Sequence, residues 1–189
     1  MSLRGKLNGV AEALGTSPDW YHSFDTSRDG FRRSFLVAAL TLPAYAVVAQ
    51  AVEVERGRLL GEASRDVAWL PFLLITGLFV LAFPFVAFVM STIFERLDRF
   101  HGWGVVRHWT AFLLAWSVAG LFALYLLGIV PYALSNGVLF VAMFALLGAD
   151  IRLAQKVGAF GLGAAVLIAS LVATLGMSLL LSGLLIYSG

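Results

Sequence analysis

Five long apolar runs leave this chain few ways to fold: about residues 34–52, 67–94, 110–130, 134–149 and 157–186. A helix needs about 20 residues to cross roughly 30 Å of hydrocarbon, and runs of that length have no other economical fate. In lipid every backbone N–H and C=O must be satisfied within the segment, so the runs read as helices. The remaining composition agrees. Hydrophobic residues make up 60% of the 189, and charged residues only 13%, about half the share of an average soluble domain. The expected fold is all-α: an integral membrane bundle of five transmembrane helices at 34–189, preceded by a cytoplasmic or interfacial segment at 1–33.

That segment reads as short amphipathic helices. Leu3, Leu7, Val10, Ala11 and Leu14 recur at helical spacing, and Gly15 is the expected end. Such a helix suits either the headgroup layer or the protein's own cytoplasmic face. Basic residues without a following apolar core exclude a secretory signal peptide. Ser17-Pro18-Asp19 then predicts a one- or two-turn helix carrying Trp20, Tyr21 and Phe24, and Thr26-Ser27-Arg28-Asp29 predicts the start of the first spanning helix.

Within the spans, Pro43 and Pro84 are expected to kink their helices, because proline removes a backbone donor. The hydroxyl of Thr41 stands close enough to compensate at the first kink. Glu53 to Asp66 is expected to be an exposed loop with at most a turn of helix, and Pro131 to Gly137 a tight uncharged hairpin.

Orientation follows from the charges. Arg4, Lys6, Arg28, Arg32, Arg33, Arg96, Arg99, Arg107, Arg152 and Lys156 put ten Lys and Arg on one side of a five-span topology, against three (Arg56, Arg58 and Arg65) on the other. The excess of basic residues marks the cytoplasmic side, so the N-terminus is expected inside and the C-terminus outside. A net charge of +2 is too small for a nucleic-acid footprint. Length and hydrophobicity without a signal peptide point to a bacterial inner membrane.

The stretch Phe94 to Trp109, FERLDRFHGWGVVRHW, is expected to form the central cytoplasmic loop. Its arginines 96, 99 and 107, with Trp103 and with Trp20, Tyr21, Arg28, Arg32 and Arg33 ahead of the first span, would form one basic, aromatic face against anionic headgroups. His101, His108, Glu95 and Asp98 carry metal-binding atoms, but their spacing matches no zinc signature, and Gly102 and Gly104 are expected to break the helix that would align them. No cysteine is present, no Gly-x-Ser-x-Gly elbow occurs, and none of the five expected cores contains an ionisable residue. Neither a catalytic residue, a metal nor a cofactor is therefore assigned.

The last span carries the sharpest pattern. Gly161, Ala165, Ala169 and Ala173 recur every four residues, beside a second stripe of Ser170, Thr174, Ser178 and Ser182. Small residues and hydroxyls are what membrane helices pack through, within one bundle or against another membrane protein or a second copy.

Five spans, a cytoplasmic N-terminal segment containing Trp20-Tyr21 to Arg33, and a short outside C-terminus resemble the Yip1-like membrane proteins. The resemblance is one of architecture. The Asp-Leu-Tyr-Gly-Pro motif of eukaryotic members is missing, so their GTPase-linked trafficking role and their functional residues do not carry over. The expectation is a non-enzymatic protein acting by association, as a scaffold, assembly factor or accessory subunit. The alternative is a small carrier or channel for a neutral or lipid-like solute at the proline-broken helices. A third reading is a lipid-active enzyme using His101 or His108.

Overall fold

The structure, a computed structural model, describes residues 2–61 and 67–188, with side chains described as far as Leu179. Among the described residues there is no strand. Seven α-helices run α1 (Leu3–Leu14), α2 (Arg28–Ala39), α3 (Leu42–Leu60), α4 (Trp69–Ile93), α5 (Leu97–Leu126), α6 (Tyr132–Lys156) and α7 (Leu162–Ser188), with a 3-10 turn at Asp19–Ser23. Taking α2 and α3 together, five described segments are long and apolar enough to cross a membrane.

The helix starts follow the capping chemistry of the sequence. Ser2 Oγ accepts from the Gly5 N–H, Ser17 Oγ from the Asp19 N–H, and Ser27 Oγ from the Gly30 N–H at 3.1 Å. Each satisfies a donor that an unextended helix end would leave open. Gly15 closes α1, its N–H donating to the Ala11 carbonyl. Gly30 also has to be glycine for space, since a Cβ there would lie 2.0 Å from the Asp25 carbonyl oxygen.

Pro43 does more than kink the first span. The α-helix stops at Ala39 and restarts at Leu42, with Pro43 in the first turn of the new helix, where its missing N–H costs nothing. Two carbonyls at the break take side-chain donors. Thr41 Oγ1 donates to the Ala38 carbonyl at 2.6 Å, and Trp116 Nε1 on α5 donates to the Leu40 carbonyl at 3.0 Å. Pro84, by contrast, sits inside α4, which continues through it.

Three expected loops are helical instead. Residues 53–60 extend α3, because Glu53–Arg56 and Glu55–Arg58 pair at i, i+3 on the helix surface and Gly61, at φ 67°, supplies the left-handed cap. The stretch from Leu97 to Trp109 is the opening part of α5, and only residues 94–96 turn the chain. Gly102 and Gly104 do not break this helix. They let α2 approach: a Cβ on Gly104 would meet the Phe31 ring at 2.3 Å, and one on Gly102 would meet Thr26 at 3.3 Å. The hairpin at Pro131–Gly137 is likewise the first turns of α6; the turn lies before it, with Gly128 at φ 74°. The fourth span is consequently 25 residues long, beyond the expected 134–149.

α5 is the axis of the molecule, touching α2, α3, α4 and α6, while α7 closes the far side against α4 and α6. Trp103, Val106, Phe122, Leu153 and Ile168 are among the largest fully buried apolar side chains of the molecule. Small-residue packing joins α3 to α5, through Ala44, Ala115 and Ala119. Small side chains let backbones approach, which is the main source of helix affinity in lipid.

Candidate functional site

One end of the bundle is lined by polar groups that the apolar helices fold around. Arg107 on α5 and Asp150 on α6 form a bidentate ion pair, Nε to Oδ1 at 2.7 Å and the second guanidinium nitrogen to Oδ2 at 3.2 Å. Their side chains keep only 10% and 7% of their exposure. The guanidinium also lies 5.0 Å from the centre of the Phe83 ring, which adds a cation–π contact from α4. Two complementary charges facing in fork geometry are the one arrangement in which such groups are tolerated away from water.

His108 follows on the next position of α5 and is buried. Its Nδ1 lies 2.8 Å from Ser34 Oγ on α2, and the same hydroxyl donates to the Phe31 carbonyl at 2.6 Å. A hydroxyl has one proton. With that proton on the carbonyl, Ser34 can only accept from the ring, which fixes the Nδ1–H tautomer. In the neutral ring Nε2 is then a lone-pair acceptor, and no described group reaches it. Phe31, Phe35 and Phe83 surround the imidazole. A cleft of about 20 Å³ opens beside it, walled by Thr41, Tyr45, Phe79 and Phe83 as well as Arg107 and His108.

The residues expected on the cytoplasmic side divide into two groups. Arg28, Arg32, Arg33, Arg96, Arg99 and Tyr21 are exposed, and Trp20 is half-buried. Arg107 and Trp103 do not belong to that face. Trp103 is 1% exposed and packs against Phe83 and Phe160, and Arg107 turns inward to Asp150. The reason is that this stretch is helix, so residues 103 and 107 share the inward side one turn apart.

The N-terminal helix is held on the protein. Lys156 Nζ donates to the Glu12 and Gly15 carbonyls at 2.6 and 2.9 Å, and Arg152 donates to those of Leu14 and Gly15. Two cations thus occupy the negative end of the α1 dipole. Lys6 Nζ donates to the Ser23 carbonyl at 2.7 Å and lies over the rings of Phe24 and Trp109. Burial pushes the Lys6 ammonium below its ordinary range, partly offset by Asp25. Asp25 is itself held low, by hydrogen bonds from Ser27 first and then by nearby Arg33 and Lys6.

On α7 the four-residue stripe holds only in part. Ala165 and Ala169 are buried, Gly161 is exposed ahead of the helix, and Ala173 faces outward. A strict four-residue repeat advances about 40° per step around a 3.6-residue helix, so it leaves the contact face by its fourth member. The buried seam runs through Ala165, Ile168, Ala169, Val172 and Gly176 instead, with Phe79 seated against Gly176. Ser170, Thr174 and Ser178 point away from the bundle; Ser182 lies outside the described side chains.

Among the described residues no three His, Cys, Asp or Glu side chains gather as a metal site. His101 packs against Phe31 and Phe100, Glu95 is exposed, and Asp98 pairs with Arg99. In the sequence Asp150 reads only as part of the charged close of the fourth span, without a partner. Its signal was available: Arg107 and Asp150 lie at the same end of two consecutive antiparallel spans, just outside the apolar runs. Comparison with family models, characterised proteins and solved structures returned no match.

Proposed function

We propose that this is an integral protein of a bacterial inner membrane, N-terminus cytoplasmic, that works through helix association as a scaffold, assembly factor or accessory subunit. The observation that carries the reading is the outer face of α7. Ala173, Ser170 and Thr174 are small or hydroxylated and turned away from a bundle that already uses the opposite seam for its own packing. Such a face suits close approach by another membrane helix, from a second protein or a second copy. The exposed arginines 28, 32, 33, 96 and 99 suit anionic headgroups at the cytoplasmic surface.

The carrier reading has less support. The cleft beside Thr41 and Phe83 does lie next to both prolines, but about 20 Å³ admits a single water and no larger solute.

Purification of the tagged chain in mild detergent, wild type beside Ala173→Leu and Thr174→Leu, tests association. The wild type is expected to carry a membrane partner or a second copy, and the variants to lose it at unchanged melting temperature. A wild type that runs alone and monomeric contradicts the proposal.

A further inference from the structure

The cleft where α2 gives way to α3 has an unbalanced set of hydrogen-bonding groups. His108 lines it, is 3% exposed, and presents Nε2 as an acceptor that no described group reaches. Val80 on α4 lines the same cleft, and its carbonyl is the one that residue 84 would serve in an uninterrupted helix. Residue 84 is proline and has no N–H to give. Donors on the wall are partly committed elsewhere. Thr41 donates to the Ala38 carbonyl, and Arg107 directs two of its five N–H groups at Asp150. The surroundings thus offer, on two different helices, one imidazole acceptor that no described group reaches and one carbonyl without its i+4 donor.

Free volume and charge narrow what could answer them. About 20 Å³ is room for one water and little more. A cation would meet the Arg107 guanidinium, and an anion would meet two lone pairs, so the occupant has to be neutral. It also has to donate twice. We propose that the cleft binds one water molecule as a double donor, to His108 Nε2 and to the Val80 carbonyl. The water bridges α5 to α4 at its proline, directly beside the break between α2 and α3. Buried waters with two or more polar partners are part of a fold and costly to remove. Here the water turns a proline-freed carbonyl and an orphan imidazole nitrogen into one cross-helix link. The tautomer fixed by Ser34 is what makes the link one-directional, since only Nδ1–H leaves Nε2 free to accept.

The test is nitrogen-15 NMR of histidine-labelled protein in deuterated mild detergent, with bulk water as the probe. The wild type should show His108 as the Nδ1–H tautomer, Nε2 shifted toward the hydrogen-bonded range, and a cross-peak from its ring Hε1 to water. Pro84→Ala restores an N–H to the Val80 carbonyl, so the water loses one of two bonds and the cross-peak should fall about fivefold. Ala111→Leu adds side chain to the cleft wall and should abolish it. Melting curves taken on both variants show whether each is folded at the temperature of measurement, and the wild-type spectrum stands without them. A wild-type His108 with no water cross-peak, or with Nε2 protonated, overturns the proposal. A cross-peak that survives Ala111→Leu in a folded protein overturns it as well, and one unchanged by Pro84→Ala removes Val80 as the second acceptor.

Discussion

The two ends of the bundle hold similar charges in opposite circumstances. At one end Arg107 and Asp150 meet in the interior, doubly hydrogen-bonded and walled by Phe83. At the other, Glu53–Arg56 and Glu55–Arg58 pair along α3 with water still in reach, Arg58 keeping 75% and Glu55 13% of its side-chain exposure. Tyr125 reaches across from α5 to donate to Glu55 at 2.8 Å. The chemistry of the pairs is nearly the same, but depth changes their energetics. A surface pair is worth about 0–1 kcal/mol, whereas removing one partner of a buried pair strands a charge and costs about 3–5 kcal/mol.

The contrast can be broken most severely at its buried end. Arg107→Ala or Asp150→Ala should each destabilise the bundle by about 3–5 kcal/mol in detergent unfolding, while replacing both by Met and Leu should be close to neutral. If the single changes were as mild as the double, the pair would behave like a surface contact. Next in size is Gly104→Ala, which drives a Cβ into Phe31 and should cost about 1–3 kcal/mol by overpacking. Ser34→Ala, which strands the His108 Nδ1–H, should cost about 1–3 kcal/mol and release the fixed tautomer. A ring nitrogen spectrum unchanged by Ser34→Ala would remove Ser34 from the account. Smaller effects belong to the opposite end: Tyr125→Phe should cost about 1 kcal/mol, and Arg58→Ala less than about 0.5 kcal/mol, in the same unfolding assay.

Acid should touch the N-terminal segment gently. The folded Asp25 carboxyl lies below its ordinary value of 3.8, so its contribution is present above that value and fades as pH falls through the lower, folded one. Ser27→Ala should flatten this part of the pH profile, which unfolding followed between neutral and acidic pH would reveal.

Length and hydropathy made the five long helices legible, and the cap at Ser17 was legible from side-chain type alone, whereas the signature ahead of the first span pointed to Thr26 and it is Ser27 that caps the helix. The part Thr41 plays at the first proline was not legible: its hydroxyl goes to the Ala38 carbonyl, not to the Ala39 carbonyl that an N–H at position 43 would have served. What else stayed hidden was non-local. Gly102 and Gly104 look like helix breakers until Phe31 and Thr26 from another helix are seen against them. Arg107 looks like a headgroup anchor until Asp150, 43 positions later, is seen beside it. The α7 stripe was legible only in part, since a four-residue repeat approximates a helix face over about two turns and then divides between the bundle seam and the outer face. The small residues that do seat one helix closely on another, Ala44 against Ala115 and Ala119, are scattered among larger ones and form no stripe.

The buried polar end rests on a coupling between two residues, and a double-mutant cycle measures coupling directly. Unfolding free energies in mild detergent for wild type, Arg107→Met, Asp150→Leu and the double variant should give a non-additive term of at least about 2 kcal/mol. Single changes that add to within about 0.5 kcal/mol would contradict a buried, mutually dependent ion pair at this end of the fold.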